Sequence, residues 1–129
     1  MSRVRRVAAV QATPAFLDRA ATVERAVDLI AKAAAEGAEL VLLPESFVPT
    51  YPDWVWRTKP WDQHATALWQ RLVEQAVVVG SEATDALGEA ARRGGIHVSI
   101  GVTERGAPGS SLYNTALLFG PDGAILHHH

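Results

Sequence analysis

The chain has 129 residues, of which 48% are hydrophobic and 20% charged. These proportions suit a single globular domain with a real core and argue against disorder. A formal net charge of −2, with Arg3, Arg5 and Arg6 as the only basic cluster, argues against nucleic-acid and anionic-membrane partners, which demand massed Lys and Arg. No apolar run approaches membrane-spanning length, and residues 7–10 are too short for a signal-peptide core. With no cysteine the chain holds no disulfides, which is compatible with a cytoplasmic setting.

Residues 4–12 read as a first strand, their continuous Val and Ala content suggesting cover on both faces. Asp18 can cap a helix in which Val23, Val27, Ile30 and Ala34 recur at helical spacing, and Gly37 ends it. Residues 40–43 are short, apolar and unalternating, and read as a second strand covered on both faces and stopped by Pro44. Leu68, Trp69, Leu72, Val73 and Ala76 mark a helix begun near Trp61 or Asp62. Ser81 caps a third, with Leu87, Ala90 and Ala91 inward and Gly94-Gly95 making a tight reversal. Ile96, Val98, Ile100 and Val102 alternate along a strand that should neighbour residues 112–119. Gly120-Pro121-Asp122-Gly123 is a turn leading into a last strand at Ala124. The order β-α-β-α-α-β-β-β indicates an α/β or α+β sheet covered by helices, with no internal repeat or domain linker.

The chemistry concentrates after the second strand, in Leu42-Leu43-Pro44-Glu45-Ser46-Phe47-Val48-Pro49-Thr50-Tyr51-Pro52. A carboxylate at a strand tip stands where α/β enzymes keep reactive groups. Apolar neighbours would bury Glu45 and raise its pKa, making it a proton acceptor near neutrality; the competing reading is a surface glutamate in a loop. Tyr51, Trp54 and Trp56 follow closely enough to wall an apolar substrate site, with core or subunit packing as the alternative. Trp61 and Trp69 read as structural. Asn114 and Thr115 lie on a strand expected near the site, where Asn114 could equally satisfy backbone groups. His64 and His97 have no partner pattern. Ser46 lacks a Gly-x-Ser-x-Gly elbow, and neither a Walker loop nor Gly-x-Gly-x-x-Gly occurs. Neither a cofactor nor a metal is expected, because His127, His128 and His129 would alternate faces on a strand; they could also be a tag remnant.

The run from Glu45 through Tyr51-Pro52 to Trp54 and Trp56 resembles the nitrilase branch of the nitrilase superfamily of carbon-nitrogen hydrolases. Other blocks agree in order: Val10-Gln11-Ala12; residues 83–93; Ile100-Gly101-Val102-Thr103-Glu104; and Leu112-Tyr113-Asn114-Thr115 followed by Phe119-Gly120-Pro121-Asp122-Gly123. The resemblance implies a four-layer α-β-β-α sandwich, of which residues 1–129 form the N-terminal part of one hydrolase domain. It also implies a Cys-Glu-Lys triad with Glu45 as general base, a small nitrile as substrate, and a homo-oligomer, dimer or spiral.

The chain departs from that pattern in lacking the nucleophile. Its lysines, Lys32 and Lys59, do not follow a His-Arg pair. The tail aligns so that His129 would open the family's His-Arg-Lys, two residues short of the lysine. The expected activity of the complete enzyme is hydrolysis of organic nitriles to carboxylic acid and ammonia, with this chain alone inactive. Amidase, carbamoylase and cyanide-degrading activities are the alternatives within the superfamily. Outside it stands an inactive fragment or a non-catalytic assembly module.

Overall fold

The computed structural model describes residues 3–106 and 108–129. Along the chain run β1 (Val7–Ala9), α1 (Arg19–Ala35), β2 (Leu40–Leu42), a short 3-10 turn (Asp53–Trp56), α2 (Gln63–Gln75), α3 (Glu82–Gly94), β3 (His97–Arg105), β4 (Leu112–Phe119) and β5 (Ile125–His128). The strands form one mixed sheet in the order β1-β2-β3-β4-β5. β1, β2 and β3 pair in parallel, and β3, β4 and β5 form an antiparallel meander.

Local chemistry sets the helix ends. The Asp18 carboxylate accepts from the Ala21 amide at 2.9 Å, and Asp62 accepts from His64 and Ala65 at 2.8 and 3.0 Å. Each satisfies amides that the first helical turn leaves without a partner. Ser81 stands at the N-cap of α3, but its side chain makes no capping bond. Thr84 instead closes that end, accepting from the Gly80 amide and donating to the Ser81 carbonyl, both at 2.9 Å. Gly95 terminates α3 at φ 58°, in the left-handed region that glycine enters without a Cβ penalty.

The main core lies between the sheet and the pair α1–α3. Ala26, Ile30, Leu87 and Ala91 from the helices meet Val41, Val98, Ile100, Val102, Leu117 and Phe119 from the strands, and all are buried. The paired row Ala8, Val41, Val98 and Phe119 puts one residue from each of four strands on this face. A smaller cluster of Leu17, Trp54, Ala65 and Leu72, with Leu68 and Leu112 against it, fastens α2 and the turn after β2 to the rest.

Two sequence expectations change. The first strand spans three residues rather than 4–12, and neither β1 nor β2 is covered on both faces. Val7 and Leu42 are 53% and 41% exposed while Val41 is fully buried. One helical layer covers one face, so the odd and even positions of each strand part company. The face carrying Ala9, Leu42, Ser99, Ala116 and Leu118 is open. Of the four layers implied by the resemblance, the described residues supply one sheet and one helical layer.

The basic cluster at the start is tied to its neighbours. Arg3 and Arg5 pair with Glu39, and Arg6 donates to the Glu36 carbonyl at 2.8 Å. The Arg5 guanidinium beside Glu39 holds that carboxyl below its usual range. Among the described residues no helix is long and apolar enough to cross a membrane.

Candidate active site

Past Leu42 the chain keeps bonding to β3 but not in regular register. The Leu43 amide donates to Ser99 O at 2.8 Å, Gly101 N to Pro44 O at 3.2 Å, Val48 N to Gly101 O at 3.3 Å and Thr103 N to Val48 O at 2.8 Å. Pro44 offers no amide, so residues 45–47 loop away between the two sets of bonds. Ser46 takes φ 46° at the crest of this excursion. Gly101 makes room for it: a Cβ there would lie 2.5 Å from Ser46 N and 2.6 Å from Glu45 Cα. The loop thus rides over β3 on the open face and presents Glu45 there.

Asn114 reaches Glu45 from β4. Its Nδ2 donates to Glu45 Oε1 at 2.6 Å, and Ser46 Oγ donates to Asn114 Oδ1 at 3.2 Å. Glu45 is nevertheless exposed, contrary to the burial expected from its apolar neighbours. The reason is the open face: Leu43 and Phe47 turn into the core, and among the described residues no second layer stands over the carboxylate.

Two adjoining cavities share Glu45 and Asn114. One, of about 260 Å³, is lined also by Ser46, Tyr51, Pro52, Trp69, Leu72, Thr103, Leu112 and Tyr113. The other, of about 310 Å³, runs along the open face past Leu43, Ser99, Gly101, Thr115, Ala116 and His129. Of the aromatics expected around a substrate, Tyr51 lines the first cavity. Trp54 sits behind it, 5% exposed, with its ring edge-on to Trp69 at 5.4 Å and to Phe16 at 6.1 Å. Trp56 is 78% exposed and lines neither cavity. Trp69 takes the wall position instead. It stands one turn before Leu72 on α2, and that spacing is the signal that could have found it.

The histidines of the tail divide between faces. His127 and His129 stack on the open side, with ring centroids 5.9 Å apart, whereas His128 meets Glu104 at 2.7 Å. Thr115 donates to the same Glu104 oxygen at 2.8 Å. Groups of three or more metal-binding side chains do not occur among the described residues. A larger cleft of about 520 Å³ between α1 and α3 contains Arg19 and Arg105. Their guanidiniums are engaged there by carbonyls, Arg19 with Glu74 and Ala76 and Arg105 with Val73. They close the end of α2, as cations near a helix C-terminus do.

The arrangement can accept a proton at Glu45, beside a partly aromatic cavity sized for a small organic molecule. Comparison with known proteins places the chain in a family. The carbon-nitrogen hydrolase family model matches residues 6–129. The chain is 44% identical over 124 residues to Nitrilase 3 from an unknown prokaryotic organism, covering 96% of this chain and 37% of that protein. It is 39% identical over 127 residues to an arylacetonitrilase from Hypocrea virens, covering 98% and 36%. Among solved structures, an amidase from Nesterenkonia sp. superposes with a TM-score of 0.67 at 25% identity, over 96% of this chain and 41% of that one. The chain therefore spans little more than a third of the length of these curated relatives. With its partial nitrilase-type α/β fold, it belongs to the carbon-nitrogen hydrolase family.

Proposed function

We propose that these 129 residues supply the general-base side of a nitrilase active site, which converts organic nitriles to carboxylic acid and ammonia. The observation that carries this reading is the Glu45 carboxylate, held by Asn114 at the junction of the two cavities. Nitrilase relatives at 36–44% identity support the substrate class. A nitrile carbon is a weak electrophile, so its hydrolysis calls for a strong nucleophile, a base, and a cation or donor near the nitrogen.

In the proposed reaction Glu45 takes the proton of a cysteine thiol, and the thiolate adds to the nitrile carbon to give a thioimidate. Water then adds with its proton passing through Glu45, ammonia departs, and a second water releases the acid from the thioester. A lysine stabilises the developing negative charge. The cysteine is not among these residues and neither lysine follows a His-Arg pair, so the chain alone is inactive on this reading. Tyr51 belongs to the substrate wall and Trp54 supports it through Trp69; Trp56, lying outside both cavities, is a candidate for subunit contact in a homo-oligomer. A cytoplasmic setting completes the proposal.

Amidase chemistry is the second reading, favoured by the Nesterenkonia amidase superposition. Ammonia release by the full-length protein from matched nitriles and amides separates the two. Glu45→Gln in that protein should retain the fold and lose about 100-fold or more of kcat, the scale of general-base catalysis. Near-normal turnover in the variant would remove Glu45 from the reaction.

A further inference from the structure

We infer that Asn114 is a positioning residue that divides the labour of the two Glu45 oxygens, fixing Oε1 and leaving Oε2 to carry the proton. The inference rests on the reading of Glu45 as the base. It starts from a one-way arrangement of donors. An ionised carboxylate only accepts, so the Asn114 group 2.6 Å from Oε1 is the amide nitrogen. With the amide so oriented, its oxygen accepts from the Ser46 hydroxyl at 3.2 Å. Ser46 adjoins Glu45 in sequence, and Asn114 stands on β4, so the three side chains close a ring whose amide orientation is set by the carboxylate. Glu45 Oε2 has no hydrogen-bond partner among the described residues, and Glu45 lines both cavities.

An exposed glutamate has three rotatable side-chain bonds, and burial does not restrain this one. The Asn114 bond is the restraint that the site provides in its place. Charge-assisted hydrogen bonds are short and strong, and a restraint acting through the base alters the rate of proton transfer more than substrate affinity. Asn114 therefore differs in kind from the wall residues Tyr51 and Trp69, whose removal should weaken binding.

The test compares Asn114→Ala and Asn114→Asp in the full-length protein, with Glu45→Gln alongside. Aspartate keeps the shape of asparagine but places a second carboxylate where the donor was. A role in packing would make Asp the milder change, whereas a donor role makes it at least as damaging as Ala. The expected result is a loss of kcat of about 10- to 100-fold in Asn114→Ala, the range of a hydrogen bond to a charged group. KM should stay within about twofold, and Asn114→Asp should be equal or worse. Retained kcat in Asn114→Asp, or a change confined to KM, overturns the inference while leaving Glu45 as the base. Turnover surviving in Glu45→Gln would instead defeat the parent reading. If neither variant at 114 folds, Ser46→Ala decides: loss of kcat at constant KM supports the ring, and unchanged kcat overturns it.

Discussion

The two faces of the sheet follow opposite rules. On the side of α1 and α3, Val41, Val98, Ile100, Leu117 and Phe119 are at most 1% exposed and make no polar contact through their side chains. On the other side Leu42 is 41% exposed, and Ser99, Gly101, Ala116 and Asn114 share that face. The covered face supplies stability through burial, about 1.5–3 kcal/mol for each large apolar side chain. The open face supplies little, and the candidate base, its amide partner and the stacked histidines all lie there. The buried core and the candidate site thus lie on opposite faces of one sheet, so one can be changed with little effect on the other.

That separation can be broken or sharpened by substitution. Phe119→Ala should destabilise the chain by about 3–5 kcal/mol, whereas Leu42→Ser should stay within about 0.5 kcal/mol, both read by urea unfolding. Comparable losses in the two variants would mean that the open face is covered in solution. Gly101→Ala tests the point where the two faces meet. Its Cβ would approach the Ser46 backbone to 2.5 Å, so a loss of about 1–3 kcal/mol is expected, with displaced Glu45 and Ser46 amide resonances. Asp62→Ala should cost about 1 kcal/mol and speed hydrogen exchange at the Ala65 amide, loosening the helix that carries Trp69.

The smallest effect lies on α3, outside both cavities of the candidate site. Arg92 and Arg93 hold the Glu89 carboxyl at about 2, below the usual 4.5. A depressed carboxyl pKa stabilises the folded state above its unfolded value, and that contribution disappears as pH falls from about 4.5 to about 2. Thermal midpoints should therefore converge between the parent chain and Glu89→Gln as pH falls through that window. Exposure and screening keep the difference small.

Elements defined by local chemistry were legible in the residues. Asp18 caps the helix expected of it, α2 begins beside Asp62 as its apolar spacing suggested, the bounds of β4 match residues 112–119, and the Gly-Pro-Asp-Gly turn leads into β5. What depended on cover from elsewhere was not legible. Hydrophobic runs at 7–10 and 40–43 are consistent with burial on either face or both, and only the placement of the helices decides. The exposure of Glu45 follows from the same cause. The exchange of Trp56 for Trp69 in the cavity wall is a matter of tertiary geometry: a loop aromatic carries no periodicity to say which way it faces, and a helical one beside Leu68 and Leu72 reads as packing. The ring of Glu45, Asn114 and Ser46 joins positions nearly seventy residues apart, a distance that spacing within a motif does not bridge.

The mixed pairing of the sheet also implies an order of assembly. β3, β4 and β5 are joined by short links and can zip together from nearby segments, whereas β1 and β2 must wait for helical crossovers to close. β3 is the middle strand, yet it is the third to leave the ribosome. The turn bearing Glu45 takes its shape from bonds to β3, so during synthesis that turn emerges before the template that shapes it.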